Sequence, residues 1–121
     1  KKNTIIFHNS SNTLKIKTLK KKGVNLIKFS FDKNSYFNLK KILKKLFKLG
    51  IRNLLVEGGD NLTKKFIKKR LFNEFYLFKS PKILPKSNKY QSFTSRGILN
   101  SIYYRKFSSK LAKDNITIYK R

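Results

Sequence analysis

The chain has 121 residues, 39% of them hydrophobic, which suits one domain with a single buried core, and its formal net charge is +26. It has no cysteine and one histidine, which excludes disulfides, a cysteine nucleophile and a zinc site of cysteine and histidine ligands, so we predict no metal site. No run of about eighteen uncharged apolar residues is present and no signal-peptide core opens the chain, so we expect a soluble, cytoplasmic protein with no membrane partner.

The first part of the chain alternates strand and helix signals. Residues 4–7 form a β-branched and aromatic run bounded by turn residues, which predicts a buried strand. The apolar positions of residues 14–22, closed by Gly23, predict a short helix with a glycine at its C-terminal end. Residues 24–31 then predict a second strand.

The clearest predicted helix spans residues 39–49. Its apolar residues recur at three- and four-residue spacing while lysines fill the opposite face. Ser35 or Asn38 can cap its N-terminus, and Gly50 ends it. Residues 51–56 are almost wholly apolar, which predicts a strand covered on both faces in a parallel sheet.

The second part of the chain predicts one more helix, three strands and an exposed loop. The aromatic residues of the first of these strands are interpreted as core rather than as a surface for base stacking. Together with the alternation upstream, the order predicts an α/β fold: a mixed, mainly parallel sheet with flanking helices and a C-terminal antiparallel hairpin. The predicted spans are a helix at 61–69, a strand at 72–78, a loop at 85–96, and hairpin strands at 99–107 and 115–119 joined by 108–114.

The loop of residues 57–60 lies between a predicted strand and a predicted helix, where ligands of open α/β sheets bind. Its two glycines let a ligand approach the main chain, and the first helix amides form a seat for phosphate. Asp60 or Asn61 can cap the helix. The polar side chains of Asn61 and Thr63 can extend toward a pyrophosphate. The Glu57 carboxylate can accept hydrogen bonds from a heterocycle. The alternative is that the glycines simply form a tight turn and Glu57 is solvated.

A longer sequence pattern is more specific. It reads NLLVEGGDNL at residues 53–62, and it is followed by FI at 66–67, LFNEFYLF at 71–78 and SPKIL at 80–84. In order and spacing this pattern closely resembles the reductase domain of bacterial bifunctional riboflavin-biosynthesis deaminase/reductases. That family has a strand ending in Val-Glu-Gly-Gly, a leucine three residues later, a helix, a segment like Leu-Val-Asp-Glu, and then Pro-Lys-Leu-Leu. A weaker resemblance extends over nearly the whole chain.

The resemblance implies a dihydrofolate-reductase-like fold and an enzyme that uses NADPH to reduce the ribose ring of 5-amino-6-(5-phosphoribosylamino)uracil to the ribityl chain. The nicotinamide transfers the hydride and the protein supplies orientation and charge, so no residue here is assigned as catalytic. The resemblance also implies a small-molecule substrate, a homo-oligomer and no specific nucleic acid. By residue, it implies that Glu57 contacts the substrate, that Gly58 permits the turn, and that Gly59, Asp60, Asn61, Leu62 and Thr63 hold the cofactor phosphates.

Three departures from the family pattern stand out. Asn73 replaces an aspartate, and Pro85 replaces the glycine that follows Pro-Lys-Leu-Leu. The start of the reductase domain and the zinc-binding deaminase domain have no counterpart here, and the chain begins with Lys1 rather than Met. We therefore expect residues 1–121 to be the later part of one reductase domain, incomplete at its N-terminus, with zinc confined to the deaminase domain.

Charge leaves an alternative function open. The chain has 31 lysines and arginines against 5 aspartates and glutamates, a balance typical of proteins that bind nucleic acid. Ala112 is the sole alanine, while residues with A- and T-rich codons are abundant, so genome composition explains much of the lysine. It does not explain the scarcity of glutamate, whose codon is also A-rich. A basic nucleic-acid-binding module without catalysis, or a domain that keeps the fold without the activity, remain the alternatives.

Overall fold

The computed structural model describes residues 4–82, 96–101 and 105–121. The chain divides into two compact units, Lys1–Arg52 and Asn53–Arg121, and each contains helices and β-structure, which agrees with the predicted α/β class. In the described ranges no helix has the length and apolar character needed to cross a bilayer. The predicted loop at 85–96 falls almost entirely outside the described residues.

The first unit is a β-α-β arrangement followed by a second helix. Its two strands are parallel and pair from Ile5 opposite Asn25 to His8 opposite Lys28. Parallel neighbours need a crossover connection, and a helix supplies it, as the alternating strand and helix signals predicted. In chain order the elements are β1 (Ile5–His8), α1 (Thr13–Lys21), β2 (Asn25–Lys28) and α2 (Leu39–Lys48).

Side-chain caps and glycines define where the helices of the first unit begin and end. The side chain of Asn38 accepts a hydrogen bond from the Lys41 amide at 3.2 Å, so Asn38 is the N-cap of α2. Gly50 follows the last turn with a φ of 85°, a left-handed conformation, and its amide donates to the Phe47 carbonyl at 3.0 Å. The same two devices bound α1.

Ser35 is not the cap of α2, because it belongs to a tight turn of its own. The Asp32 side chain accepts a hydrogen bond from the Tyr36 amide at 3.0 Å, and the Ser35 amide donates to the Asp32 carbonyl at 3.0 Å. Phe31 and Phe37 close this turn with ring centroids 4.7 Å apart. Ser35 itself has a φ of 58°, so it is part of the turn backbone, and Asn38 caps α2 instead.

The second unit contains a three-stranded antiparallel sheet and two helices. The strand order is β3-β5-β4, so the last strand lies in the centre. The predicted C-terminal hairpin is confirmed, but its turn is shorter than predicted and consists of Ala112 and Lys113, with Leu111 paired to Asp114. In chain order the elements are α3 (Asp60–Lys68), β3 (Glu74–Lys79), α4 (Arg96–Ser101), β4 (Arg105–Leu111) and β5 (Asp114–Lys120).

The core of the second unit lies between the helices and one face of this sheet. Ile67 of α3, Leu99 of α4 and Tyr119 of β5 form its buried centre, at 0%, 1% and 3% exposure. Phe75 and Leu77 of β3 pack against that centre from the sheet. Burial of an aliphatic side chain such as Ile67 or Leu99 contributes about 1.5–3 kcal/mol, so these residues hold the helices to the sheet.

The prediction that the aromatic residues of 72–78 belong to the core is correct for one face of the strand only. Side chains alternate across a strand, so Phe75 points to the core while Tyr76 and Phe78 lie on the opposite face. Tyr76 and Phe78 are 47% and 57% exposed. The dense spacing of the aromatic residues in 72–78 therefore indicated a strand, but it did not by itself indicate that all of them are buried.

Three strand predictions are wrong. Residues 51–56 form no strand, because no described strand pairs with this segment, and the boundary between the two units falls within it. Leu55 is 82% exposed. Leu99 lies in α4 and not in a strand. The described strands also do not form one mixed, mainly parallel sheet: β1 and β2 form a parallel two-stranded sheet, and β3, β5 and β4 form a separate antiparallel sheet.

Candidate functional site

The loop of residues 57–60 leads directly into α3. Gly59 is the N-cap residue with φ −66° and ψ 169°, and no side chain caps this helix end, so neither Asp60 nor Asn61 is the predicted cap. The amides of Leu62 and Thr63 both donate to the Gly59 carbonyl, at 3.1 and 3.2 Å. The amides of Asp60 and Asn61 lie N-terminal to these two hydrogen bonds. They are at the end of the helix where partial positive charge accumulates.

Gly58 is needed because Leu62 packs over the turn. A Cβ on Gly58 would lie 2.8 Å from Leu62 Cδ2, closer than real Cβ atoms approach, and 3.3 Å from Leu62 Cβ, which is tighter than most Cβ contacts, so Leu62 would have to shift. Thr63 Oγ1 also donates a long hydrogen bond, 3.4 Å, to the Gly58 carbonyl. The side chains of Leu62 and Thr63 therefore contact the backbone of the loop itself, a role that the sequence reasoning did not foresee.

The four-residue spacing between Gly58 and Leu62 was the signal that could have revealed this contact. Residues four apart lie on the same side of a helical turn, so a leucine at this spacing is placed to cover the first glycine. Gly59 is different. No atom lies within 4 Å of the position that its Cβ would occupy, and Glu57, Gly58 and Gly59 are all exposed, so the outer side of the loop is open.

The charges at the start of α3 act in opposite directions. The helix end favours anions, but Asp60 in its first turn is itself anionic. A carboxylate at this place stabilises the helix by about 0.3–1 kcal/mol and weakens the attraction for a bound phosphate. Lys64 and Lys65 follow one turn later and add positive charge to the same helix. The start of α3 thus offers main-chain hydrogen-bond donors to an anion. Its positive electrostatic potential is partly offset by the Asp60 carboxylate.

A second polar cluster lies on the sheet of the same unit. Glu74 Oε1 is 2.8 Å from Lys120 Nζ on the neighbouring strand, and the Tyr76 hydroxyl donates to Glu74 Oε2 at 2.5 Å. The ion pair with Lys120, followed by the Tyr76 hydrogen bond, lowers the pKa of Glu74. The same carboxylate raises the pKa of Tyr76 and of Lys120. This cluster is a cross-strand ion pair rather than a ligand site, since its polar groups satisfy one another.

Comparison with known proteins assigns the chain to a family. A family model described as the RibD C-terminal domain matches residues 1–117, a range that contains the Glu57 loop. Riboflavin biosynthesis protein RibD of Aquifex aeolicus (strain VF5) is 34% identical over 119 residues, which are 98% of this chain and 32% of that protein. The chain thus spans about a third of the length of the curated relative that it matches. Because the family model covers most of its residues, the chain belongs to the RibD C-terminal domain family.

Proposed function

We propose that the protein containing this chain reduces 5-amino-6-(5-phosphoribosylamino)uracil with NADPH in riboflavin biosynthesis, and that residues 57–63, which are the loop and the first turn of α3, form part of its site. The observation that carries the proposal is the family match over residues 1–117, which includes this loop. The relative from Aquifex aeolicus is named a riboflavin biosynthesis protein. Family membership does not favour a nucleic-acid-binding module, for which the net charge of +26 and the 14% aromatic content are the support.

The geometry of the loop is compatible with a dinucleotide. The N-terminus of α3 has no side-chain cap, and the space beside Gly59 is open, so a phosphate can approach the main chain. The amides of Asp60 and Asn61 and the Asn61 side chain would hold the phosphates, while Leu62 and Thr63 would keep the loop in shape. When bound, NADPH supplies the hydride for reduction of the sugar.

Glu57 is the residue that we assign to the substrate. Its carboxylate is exposed and precedes the open side of the loop, so it can accept hydrogen bonds from the N–H groups of the aminouracil. Such contacts fix the base, and a fixed base orients the sugar for reduction. Glu57 therefore binds and orients the substrate and transfers no proton in this proposal.

The wider setting of this site is also proposed. Membership of the family supports a dihydrofolate-reductase-like fold for the complete reductase domain, of which residues 1–121 would be the later part, and the cytoplasm as the compartment. It further supports a homo-oligomer in which each copy carries its own Glu57 loop. The parallel pair β1-β2 and the β4-β5 hairpin are compatible with that fold.

The proposal predicts a selective effect of Glu57→Gln in the intact protein. A hydrogen bond to a charged group contributes about 1.5–3 kcal/mol, so kcat/KM for the ribosylaminouracil phosphate should fall by roughly 10- to 100-fold. The KM for NADPH should change little, because Glu57 contacts the other ligand. Steady-state kinetics, followed by NADPH absorbance with each ligand varied in turn, measure both values.

Glu74→Gln provides a matched control, because it makes the same substitution at the only other glutamate, in the Glu74–Lys120 ion pair of the sheet. It should leave the ratio of the two KM values unchanged. Equal losses of activity in both variants would show a general effect on the fold and would contradict the role of Glu57. Absence of any NADPH-dependent reduction by the intact protein would overturn the proposed function itself.

A further inference from the structure

Two side chains from the first turn of α3 hold Gly58. A Cβ on Gly58 would meet three carbon atoms of Leu62 at 2.8 to 3.5 Å, so the Leu62 side chain lies directly against the α-carbon of this glycine. The Thr63 hydroxyl donates to the Gly58 carbonyl at 3.4 Å. At Gly59, nothing beyond its own chain neighbours lies within 4 Å of the Cβ position. The helix therefore contacts the loop at the residue that follows Glu57 and leaves the second glycine open.

The backbone conformation of Gly58 does not by itself require glycine. Positive φ angles occur at Gly23 and Gly50 and not at Gly58, so alanine could adopt the same backbone conformation there. The contact with Leu62 is the feature that disfavours a side chain at this position. Leu62 has no polar side-chain atom, and its amide donates to the Gly59 carbonyl at 3.1 Å. The Leu62 side chain thus acts on the loop by packing.

We propose that Leu62 is a positioning residue that fixes the Glu57 carboxylate for the substrate. This inference rests on the proposed function and names the side chain through which α3 controls Glu57. Without the Leu62 contact, Gly58 would have the wide conformational range of glycine, and the exposed Glu57 beside it would share that freedom. A fixed Gly58 removes this freedom before the substrate binds, so less conformational entropy is lost on binding.

The contact should affect the two ligands of the site differently. Leu62→Ala removes the packing on Gly58 but keeps α3, because alanine has the highest helix propensity. The amides of Asp60 and Asn61, which we assign to the NADPH phosphates, should therefore stay in place. The KM for the ribosylaminouracil phosphate should rise about five- to thirtyfold, which corresponds to ordering one residue of backbone, while the KM for NADPH should change by less than about twofold.

Steady-state kinetics of the intact protein test this role. Leu62→Ala should add little in the Glu57→Gln background, because it acts through a carboxylate that glutamine lacks. Leu62→Met keeps a side chain of similar volume and should restore the KM of the wild type. Leu49→Ala is the matched control, because Leu49 is a leucine of comparable exposure, 43% against 37%, in the other unit. It should change neither KM.

Three kinetic results would contradict the role. Equal rises of both KM values in Leu62→Ala would show a general effect on the loop. A rise in the KM for NADPH alone would mean that Leu62 contacts the cofactor. Full additivity of Leu62→Ala with Glu57→Gln would show that the two residues act independently.

Urea denaturation tests the contact without measuring reduction. Gly58→Ala would place its Cβ 2.8 Å from Leu62 Cδ2, so it should lower the urea midpoint more in the wild type than in Leu62→Ala, which lacks that atom. Equal shifts in the two backgrounds would rule out the contact. An intact protein that reduces no substrate would refute the proposed function, whereas unchanged KM values in an active Leu62→Ala variant would refute the positioning role alone.

Discussion

Glu74 shows how a single residue ties two strands together. Its carboxylate contacts Lys120 on the adjacent strand and accepts the Tyr76 hydroxyl, and both contacts lower its pKa. A carboxyl whose pKa is lower in the folded state than in the unfolded state stabilises the fold above its unfolded value. That contribution disappears as the pH falls through the folded value.

The sign of these shifts gives a pH prediction. The free energy of unfolding should fall below the ordinary glutamate pKa of 4.5, and part of this fall should be absent in Glu74→Gln. The raised pKa of Lys120 predicts a matching loss as the pH rises above 10.5. Urea denaturation between the acid and alkaline ends measures both slopes. Lys120→Met should flatten the acid slope to a smaller degree, because the Tyr76 hydrogen bond still lowers the pKa of Glu74. Parallel curves for wild type and Glu74→Gln would contradict the prediction.

At the residue scale, the sequence identified the loop but not how its parts are held. The Val-Glu-Gly-Gly pattern at residues 56–59 and its family resemblance pointed to Glu57 and the start of α3. The contact between Leu62 and Gly58 depends on three-dimensional packing, so the sequence did not indicate it, and the assignment of Leu62 to the cofactor stays a prediction. The capping residue was also missed, because Gly59 caps through its backbone conformation alone.

At the scale of the elements, each of the three longer helices is followed by a residue in the left-handed conformation, but in one of them that residue is not glycine. A left-handed residue follows the last turn in each, and it is Gly23 after α1, Gly50 after α2 and Arg70 after α3. Arg70 has a φ of 52°, and the Leu71 amide behind it donates to the Phe66 carbonyl at 2.9 Å, which closes the helix. A left-handed conformation costs a residue with a side chain about 1–2 kcal/mol, so Arg70 is a strained position.

Replacing Arg70 by glycine should therefore stabilise the second unit. Part of the gain is offset by the greater freedom of glycine in the unfolded chain, which leaves about 1 kcal/mol. Arg70→Ala is the control, because it removes the same positive charge and keeps the strain. In chemical denaturation, the free energy of unfolding of Arg70→Gly should exceed that of Arg70→Ala by that amount. Equal stabilities for the two variants would mean that the backbone at this position is not strained.

The predicted elements succeeded where the pattern was local. The spacing of Leu39, Ile42, Leu43 and Leu46 predicted α2 correctly, because the pattern of an amphipathic helix lies within one continuous segment of the sequence. Residues 51–56 were wrongly predicted as a strand, because apolar composition does not supply the neighbouring strand that hydrogen bonding requires. The hairpin turn was predicted too long for a similar reason. Ala112 adopts a φ of 53°, where hairpin turns usually place glycine, so its composition gave no signal.

For the whole molecule, charge is the property with the widest effect. Lysines line the solvent-facing sides of the helices, and like charges four residues apart, such as Lys40 and Lys44, repel one another. A net charge of +26 on 121 residues therefore opposes the compact state. The net charge is a poor guide to function, because solvent-exposed lysines can result from amino-acid composition alone and do not require a nucleic-acid partner.

Salt should accordingly stabilise the fold. Raising NaCl from about 20 mM to about 500 mM shortens the screening length severalfold, so the Tm should rise by roughly 5 °C. Differential scanning fluorimetry at low protein concentration measures this without a contribution from self-association. The triple variant Lys40→Gln, Lys44→Gln and Lys48→Gln should show a smaller rise. A Tm that is unchanged or lower at high salt would show that self-repulsion does not limit stability.

The position of β5 in its sheet has a consequence for biosynthesis. In the described residues β3 and β4 each pair with β5 and not with each other, and β5 follows both in the chain. A ribosome therefore releases two strands that have no partner until Asp114–Lys120 emerges from the exit tunnel. During that interval the apolar side chains of Phe75 and Leu77 lack their sheet, which makes the nascent polypeptide prone to aggregation at this stage of translation.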